Sequence, residues 1–492
     1  MEPTDEVKER LAVADRHRRL THPELEATVA AAAGRLIGAG VGPGDAVLLV
    51  AGNEVAGVVA YLAILRSGAV AVVLDRRCGP ADVTHALGAL PVRLVVAPGD
   101  ERARLLADHD VASFDLDDLA DLAGLADDRA SPASAAPVPD DAPATVLFTS
   151  GTTSRPKGVV HSRATLAATT DNFVRIVGAD ESLVAFLVSP LTSSAGICQI
   201  HLTQRVRGTL VLEDRFDPEA SLAFLHEVRA NFLGGAPVIA ERLLDAAVAT
   251  GTGMPPMTMA LGGALLPRPV LELATDRFGV QVARVYGSSE APNFSGSLPT
   301  DDRATRLGDD GSLMPGNEVR IGSREHPEEG MLRGPCVFLG YLDAADNAAA
   351  FEDGWYRTGD TLEVRDGRVT VTGRIKEIVN RNGLKLSLHE IDDALSGLEG
   401  AAEVACFGAP DADTGERLCV AVRTRDAAVL TLADVSAHLE RAGVARRKFP
   451  EQLVIWDEPL PRTESGKIVR ARLATGSAGR ATELAFRLVR ST

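Results

Sequence analysis

Apolar and polar positions in the first 125 residues alternate between a helical spacing and a strand-like spacing. Leu25 to Leu36 carries apolar residues at helical intervals, VLLV at 47–50 is a short apolar run typical of a buried strand, and Glu54 to Leu65 is again helical. The segments AVAVVL, 81–87, RLVVA and ERARLLA repeat this succession of strand and helix. The pattern predicts an α/β domain with a largely parallel sheet.

The longest apolar stretch runs from Val55 to Leu74 and is interrupted by Arg66, Ser67 and Gly68. Its length is close to that of a membrane-spanning helix. The interruption instead predicts a buried helix, a turn and a strand. The N-terminal segment 1–20 is charged throughout and has no apolar signal core. We therefore expect no membrane span and a cytoplasmic protein.

The remainder of the chain divides by composition and pattern. Residues 127–144 are rich in Pro, Ala, Ser and Asp, which predicts an exposed connector. The strand and helix alternation then resumes until about residue 315, where short β segments with Gly turns begin: EVRI, MLRG, VFLGYL and TLEVRDGRVTVTGR. Within the last of these, Asp366-Gly367 is a strong hairpin signal. From Ile375 onwards a separate α+β pattern follows.

The expected fold class is α/β. We predict a large multi-layered N-terminal body over residues 1–374, made of α/β subdomains and a β-rich subdomain at about 315–374. A small α+β C-terminal domain is expected over residues 375–492.

Composition narrows the classes of function. Lys plus Arg number 51 and Asp plus Glu number 68, so the formal net charge of −17 disfavours binding to nucleic acid. Aromatic residues make up only 4 %, so few platforms for base stacking are available. The five cysteines are scattered without a C-x-x-C pair, which speaks against a disulfide framework or a zinc site and fits a reducing compartment.

The most informative string is FTSGTTSRPKG at 148–158, a strand that runs into a polar loop. Hydroxyl groups and free backbone N–H groups donate hydrogen bonds to phosphate oxygens, and a lysine adds a point charge. The spacing is not that of a Walker loop. Taken alone, the string is more typical of a Ser/Thr-rich surface turn. The loop supplies the candidate phosphate ligands Thr149, Ser150, Gly151, Thr152, Thr153 and Lys157.

Further motifs follow this loop in order: YGSSE at 286–290, WYRTGD at 355–360, GRIKE at 373–377, a glycine-led segment at 383–391, and LPRTESGKIVR at 460–470. Together they resemble the adenylate-forming superfamily, which comprises acyl-CoA synthetases, peptide-synthetase adenylation domains and firefly luciferase. The superfamily loop reads [YF]-T-S-G-[ST]-T-G-x-P-K-G, and here only Ser154 departs from it.

The resemblance implies an ATP-dependent ligase that forms an acyl adenylate, releases pyrophosphate and passes the acyl group to a thiol. Lys467 would bridge the carboxylate and the α-phosphate, Glu290 would coordinate Mg²⁺, and Thr153 is a third catalytic candidate. Tyr286 would face adenine, whereas Asp360 and Arg374 would hold the ribose hydroxyls. The remaining nucleotide contacts implied by the resemblance are Gly263, Ala264, Gly287, Ser288 and Ser289.

The resemblance also implies a second half-reaction, for which the C-terminal domain is mobile. It would rotate about Lys376, withdraw Lys467 and bring the segment at Gly383 to line a tunnel for a pantetheine thiol. Coenzyme A is the favoured acceptor, and phosphopantetheine on a separate carrier protein is the alternative. Another nucleophile is a third possible acceptor. A nucleotide binder that has lost the chemistry is the competing class of protein, and it is disfavoured because Glu290, Asp360, Arg374 and Lys467 are all present.

The acid is expected to bind among small residues: Ser193, Ala195, Gly196, Gly235, Gly262, Gly263 and Ala291. Ser193 takes the position that is usually His or aromatic in the superfamily, which implies a roomier or more polar pocket or a different gating of the thiol. Ala195 replaces the Asp that pairs with an α-amino group, which disfavours an α-amino acid. We therefore expect an uncharged small-molecule carboxylic acid of moderate size.

Overall fold

Three sheets organise the part of the chain that the computed structural model describes, which is residues 10–121, 137–149, 156–263, 266–381, 384–411, 413–425, 428–463 and 466–485. The strands are β1 Leu11–Ala14, β2 Arg19–Thr21, β3 Ala46–Ala51, β4 Val70–Asp75, β5 Val92–Ala97, β6 Ser113–Asp115, β7 Pro143–Thr149, β8 Lys157–Ser162, β9 Val184–Leu187, β10 Thr209–Leu212, β11 Phe232–Gly235, β12 Thr258–Gly262, β13 Gln281–Tyr286, β14 Ser295–Gly296, β15 Ser312–Leu313, β16 Glu318–Ile321, β17 Glu329–Arg333, β18 Gly340–Tyr341, β19 Phe351–Glu352, β20 Trp355–Arg365, β21 Arg368–Arg374, β22 Ile378–Arg381, β23 Leu384–Ser387, β24 Ala401–Asp411, β25 Gly415–Thr424, β26 Gln452–Ile455 and β27 Thr482–Leu484.

The α-helices lie between these strands. They are α1 His22–Gly38, α2 Val55–Arg66, α3 Pro80–Ala89, α4 Gly99–Leu105, α5 Leu116–Ala120, α6 Arg163–Val177, α7 Ser194–Val206, α8 Pro218–Glu227, α9 Pro237–Thr250, α10 Arg268–Glu272, α11 Arg303–Gly308, α12 Ala344–Ala350, α13 Leu388–Ala394, α14 Leu432–Arg441 and α15 Arg470–Gly476. A π-helical turn, Leu273–Arg277, continues α10, and two 3₁₀ turns lie at Ile375–Glu377 and Arg446–Lys448. Of the helices described, none combines the length and apolar character needed to cross a membrane.

The first sheet has seven strands in the order β18-β8-β7-β4-β3-β5-β6. Its strands from β7 to β6 run parallel, and β8 and β18 are antiparallel additions at one edge. Every residue of β3 is buried, as expected of a parallel strand covered on both faces. The apolar stretch from Val55 to Leu74 forms α2 and β4, which confirms the predicted helix, turn and strand.

The second sheet has fourteen strands, and its main path is β16-β17-β20-β21-β15-β14-β13-β12-β11-β9-β10-β1-β2. The strands from β13 to β1 along this path are parallel, whereas the path from β14 to β16 is antiparallel. The β-rich segment thus extends the same sheet. Asp366 and Gly367 both have positive φ, 51° and 74°, in the predicted hairpin between β20 and β21.

The predicted strand VFLGYL was wrong except for Gly340–Tyr341, which forms β18. The side chain of Asn347 closes the outer edge of β18, because its Oδ1 accepts from the Tyr341 N–H at 2.6 Å and its Nδ2 donates to the Tyr341 carbonyl at 2.8 Å. Those two backbone groups are therefore not available to a further strand.

The third sheet has six strands, with the path β23-β22-β25-β26-β27 and β24 paired to β25. The helices α13 and α14 pack on it around a core that includes Ile391, Cys406, Val420 and Leu439. The 3₁₀ turn Ile375–Glu377 separates β21 of the second sheet from β22 of the third. All five cysteines carry free thiols.

Two histidines in the interior predict how stability depends on pH. His161 on β8 is fully buried with Nε2 2.7 Å from the Ser289 carbonyl, and burial lowers its pKa below 6.5. On α7, Nε2 of His201 lies 2.9 Å from the Tyr61 hydroxyl, and burial together with Arg163 lowers its pKa to about 4. The unfolded chain, with histidine pKa values near 6.5, therefore binds more protons than the folded chain at mildly acidic pH.

Stability should consequently fall as the pH is lowered from about 6.5 towards 4. We expect the melting temperature to be lower at pH 5 than at pH 7, and His201→Gln to reduce that difference. Replacement of the exposed His17 by Gln is the matched control and should leave the difference unchanged. An unaltered pH dependence in His201→Gln would contradict this assignment.

Candidate active site

The candidate site forms where the parallel strands β11, β12 and β13 end at one edge of the second sheet. The register pairs Gly235 with Leu261 and Gly262 with Val285, so the loops after these strands are neighbours. A Cβ on Gly262 would lie 2.1 Å from the Val285 carbonyl oxygen, and one on Gly287 would lie 2.7 Å from the Ala291 carbonyl oxygen. Glycine is therefore required where these loops approach each other.

Asp360 lies at the centre of a buried polar group. The Tyr286 hydroxyl donates to its Oδ2 at 3.1 Å, and Nε of Arg374 lies 2.8 Å from its Oδ1. Asp360 and Arg374 face each other in the register of β20 and β21, so the hairpin itself holds the pair. Burial raises the pKa of Asp360, and Arg374 opposes that rise, whereas Asp360 raises the pKa of Arg374. The sequence-predicted residues Tyr286, Asp360 and Arg374 thus lie together.

Lys467 lies close to this polar group and belongs to the segment between β26 and α15. Its backbone N–H donates to Oγ1 of Thr463 at 3.1 Å, and its carbonyl accepts from the Thr463 N–H at 2.7 Å, which closes a tight turn. Burial and the nearby Arg374 guanidinium lower the pKa of Lys467, while Asp360, Glu290 and Glu377 act in the opposite direction. Its ammonium is therefore within electrostatic reach of residues from three other motifs, YGSSE, WYRTGD and GRIKE.

The segment after Lys467 is anchored by Arg470. Its Nη2 lies 2.8 Å from Oδ2 of Asp392 and 3.3 Å from Oε2 of Glu377, and its Nη1 donates to the Cys406 carbonyl at 2.6 Å. These ion pairs raise the pKa of Arg470. The turn that carries Lys467 is thereby connected both to the core of the third sheet and to the 3₁₀ turn at 375–377.

Glu290 is held by a tyrosine that the sequence reasoning did not select. The Tyr341 hydroxyl donates to Oε1 of Glu290 at 2.8 Å, and the Glu290 carbonyl accepts from the Phe338 N–H at 2.8 Å. Burial and the Glu290 carboxylate raise the pKa of Tyr341. On the other side, Nζ of Lys157 lies 4.8 Å from the centroid of the Tyr341 ring and 2.9 Å from Oδ1 of Asp346.

The ends of the candidate phosphate loop lie on adjacent strands. Thr149 ends β7, Lys157 begins β8, and the two are paired in the register. Six candidate residues lie outside the described part of the chain: Ser150, Gly151, Thr152, Thr153, Ala264 and Gly383. The backbone of Lys376 lies within the 3₁₀ turn Ile375–Glu377.

Ser193 does not contribute a free hydroxyl to the candidate acyl pocket. It is the N-cap of α7: its hydroxyl donates to the Pro190 carbonyl at 2.6 Å and accepts from the Gly196 N–H at 3.2 Å. A Cβ on Gly196 would lie 2.4 Å from the Pro190 and Leu191 carbonyl oxygens, so this helix entry has no room for a side chain. The local helix start therefore explains both small residues.

Sequence reasoning also missed Gln199, one turn further along α7. Its Nε2 donates to the Ala195 carbonyl at 3.3 Å and to the Gly234 carbonyl at 3.2 Å. Oε1 of this fully buried side chain has no hydrogen-bond partner among the residues that the structure describes. The helical i+4 spacing from Ala195 was the available signal.

Comparison with known proteins gives the following. The family model described as AMP-binding enzyme matches residues 3–342, and the model described as AMP-binding enzyme C-terminal domain matches residues 390–467. An oxalate–CoA ligase of Arabidopsis thaliana is 32 % identical over 92 % of this chain and 93 % of its own length. A salicylyl-CoA synthase/salicylate adenylyltransferase of a Streptomyces species is 32 % identical over 96 % and 91 %. The crystal structure of ATP-bound MatB from Rhodopseudomonas palustris superposes with a TM-score of 0.85 at 26 % identity, covering 97 % of each chain.

Proposed function

The chain belongs to the AMP-binding enzymes, and from that premise we propose that it is an AMP-forming acid–thiol ligase of the acyl-CoA synthetase type. It activates a carboxylic acid with ATP to an acyl adenylate and releases pyrophosphate. It then transfers the acyl group to the thiol of coenzyme A and releases AMP.

The convergence of Lys467 with Asp360, Arg374 and Glu290 carries this proposal. A carboxylate must attack the α-phosphorus of ATP, so two anions have to approach each other. Lys467, already close to the pair that is assigned to the ribose, supplies the positive charge at the position where negative charge accumulates. Asp360 can accept from both hydroxyls of a vicinal diol, which suits the ribose.

Glu290 is the residue proposed to hold Mg²⁺. A hard cation takes carboxylate oxygens, phosphate oxygens and waters, and the described residues contain no cluster of three or more metal-ligating side chains. A single protein carboxylate is sufficient for an Mg²⁺ ion that binds together with ATP, because the phosphate oxygens would supply other ligands. The bound ion would neutralise charge on the leaving pyrophosphate. Tyr341 fixes one oxygen of Glu290 and so orients the carboxylate.

The acid is proposed to be uncharged beyond its reacting carboxylate. The described residues of the candidate pocket, which are 193–197, 232–237, 262–263, 266 and 291–293, include no charged side chain. Gln199 adds an acceptor beside them, since both of its partners are carbonyls and its amide nitrogen must face them. The pocket therefore favours a neutral acyl group of moderate size.

Pyrophosphate release with ATP, Mg²⁺ and a panel of carboxylic acids tests the first half-reaction. Thioester formation with coenzyme A, compared with a phosphopantetheine-loaded carrier protein, tests the second. The proposal expects turnover of at least one neutral acid and transfer to coenzyme A. Release of pyrophosphate without any thioester would contradict the acceptor, and tight binding of ATP without pyrophosphate release would contradict the ligase activity.

For the second half-reaction, the part of the chain that carries Lys467 rotates about the turn at Lys376. This turn joins the second and third sheets and is short, as hinges at element ends are. Rotation removes Lys467 from the acyl adenylate and brings the segment around Gly383 to the site, where the thiol attacks the acyl carbonyl and AMP leaves.

Lys376→Pro should therefore impair thioester formation more than pyrophosphate exchange, because proline fixes φ and restricts the rotation. Lys376→Ala is the matched control, since it removes the side chain but leaves the backbone free. Both half-reactions are measured separately, the second with supplied acyl adenylate. Loss of exchange alone in the proline variant would contradict the hinge assignment.

A further inference from the structure

We propose that Asp346 is an internal competitor of the ATP triphosphate for Lys157. The inference rests on the proposed function and on the sequence-based prediction that Lys157 is a phosphate ligand, which we place here on the β- and γ-phosphates of ATP. It adds a residue that belongs to none of the motifs described above and gives it a role in the binding of ATP and the release of pyrophosphate.

The contact itself is close and partly shielded from solvent. Nζ of Lys157 lies 2.9 Å from Oδ1 of Asp346, and the exposed fractions of the two side chains are 24 % and 22 %. The Tyr341 ring covers the ammonium from another side, with its centroid 4.8 Å away. A pair in this environment is screened less than one at an open surface.

The position of Asp346 is set by structure other than its contact with Lys157. It lies in the first turn of α12, whose N-cap is Asp343, with the Asp343 side chain accepting from the Ala345 N–H at 2.9 Å. The preceding Leu342 donates its N–H to the Gly158 carbonyl at 2.9 Å, and Asn347 holds both backbone groups of Tyr341. The carboxylate is thus presented to Lys157 by a fixed helix start.

The same contact borders an open space. A cavity of about 440 Å³ is lined by Lys157 and Asp346 together with His85, Phe148, Gly158 and Leu342. It gives the Asp346 side chain room to turn away when an anion takes Lys157. Because α12 is fixed, the carboxylate can return to the ammonium once the anion has left.

Two consequences follow for the proposed reaction. The β- and γ-phosphates of ATP have to replace the Asp346 carboxylate, so the ion pair lowers the apparent affinity for ATP. Pyrophosphate meets the same competition, so Asp346 favours its release after adenylation. AMP has neither of these phosphates and should bind independently of Asp346.

Asp346→Asn tests the inference, because it keeps the size of the side chain and removes its charge. Binding of ATP, pyrophosphate and AMP is measured by calorimetry on the full chain. We expect the dissociation constants of ATP and pyrophosphate to decrease by about threefold to tenfold. The dissociation constant of AMP should be unchanged. Asp346→Ala should give the same result, and melting temperatures check that both variants are folded.

Asp343→Asn is the matched control. It removes the same charge beside the same cavity, and asparagine caps helices about as well as aspartate does. All three ligands should bind to it as they do to the wild type. Unchanged or weaker binding of ATP and pyrophosphate in Asp346→Asn would overturn the inference alone. A wild-type chain that binds neither ATP nor AMP would overturn the proposed function as well.

Discussion

Lys467→Ala should reduce acyl-adenylate formation by about 10²–10³ while leaving transfer from supplied acyl adenylate to the thiol nearly intact. The ammonium lies within electrostatic reach of Asp360, Glu290 and Glu377, where the carboxylate and the α-phosphate are proposed to meet. It assists only the step in which these two anions approach each other. Pyrophosphate exchange measures the first half-reaction, and thioester formation from synthetic acyl adenylate measures the second.

Arg446→Ala is the matched control for this experiment. Arg446 belongs to the same C-terminal part of the chain, but its guanidinium pairs with Glu440 on the exposed face of α14, outside every motif named above. Its loss should leave both half-reactions unchanged. An equal loss of both half-reactions in Lys467→Ala would remove the argument that the third sheet alternates between two orientations.

Asp360→Asn should lower kcat/KM for ATP by about 10². The amide keeps the volume of the carboxylate but cannot accept from two directions with full charge, and it leaves the Arg374 guanidinium without its anionic partner. The effect should depend on the sugar: the wild type should prefer ATP to 2′-deoxy-ATP and 3′-deoxy-ATP, and the variant should lose most of that preference. Steady-state kinetics with the three nucleotides check this.

Asp310→Asn is the control that shows whether the effect of Asp360→Asn is specific to ribose binding or is the general effect of breaking an ion pair. Asp310 pairs with Arg284 at 2.7 Å within the same sheet but outside the candidate site. That variant should lose thermal stability while keeping the preference among the three nucleotides. If Asp360→Asn also kept its preference, the ribose assignment would be wrong.

The fold class and the superfamily were both predictable from the sequence, and both are confirmed. Local sequence patterns predicted the ends of helices and strands where those ends depend only on neighbouring residues. Asp217 caps α8 and Pro218 opens it, an Asp-Pro pair that is typical of a helix start, and Asp366-Gly367 forms the predicted hairpin. The sequence could not predict that β15 and β14 join the β-rich strands to β13 in one sheet, because that pairing depends on contacts between distant segments.

The candidate site was predictable only where residues belong to motifs. Tyr286, Asp360, Arg374 and Lys467 come together, and their roles remain predictions. Tyr341 and Asp346 were missed because they touch Glu290 and Lys157 only through the pairing of β18 with β8, over a separation that no local pattern records. Of the four tyrosines in the chain, Tyr286 and Tyr341 each donate to a candidate carboxylate in the structure.

The ion pairs of Arg470 have a kinetic consequence. By binding both Asp392 and Glu377, Arg470 connects the lysine-bearing turn to Glu377, the residue that follows the proposed hinge residue Lys376. Under the proposed rotation, the Lys467 ammonium should therefore leave the site at the same moment as the backbone at Lys376 changes conformation. A fluorophore on either part should report the same exponential phase after adenylation, with no lag between them.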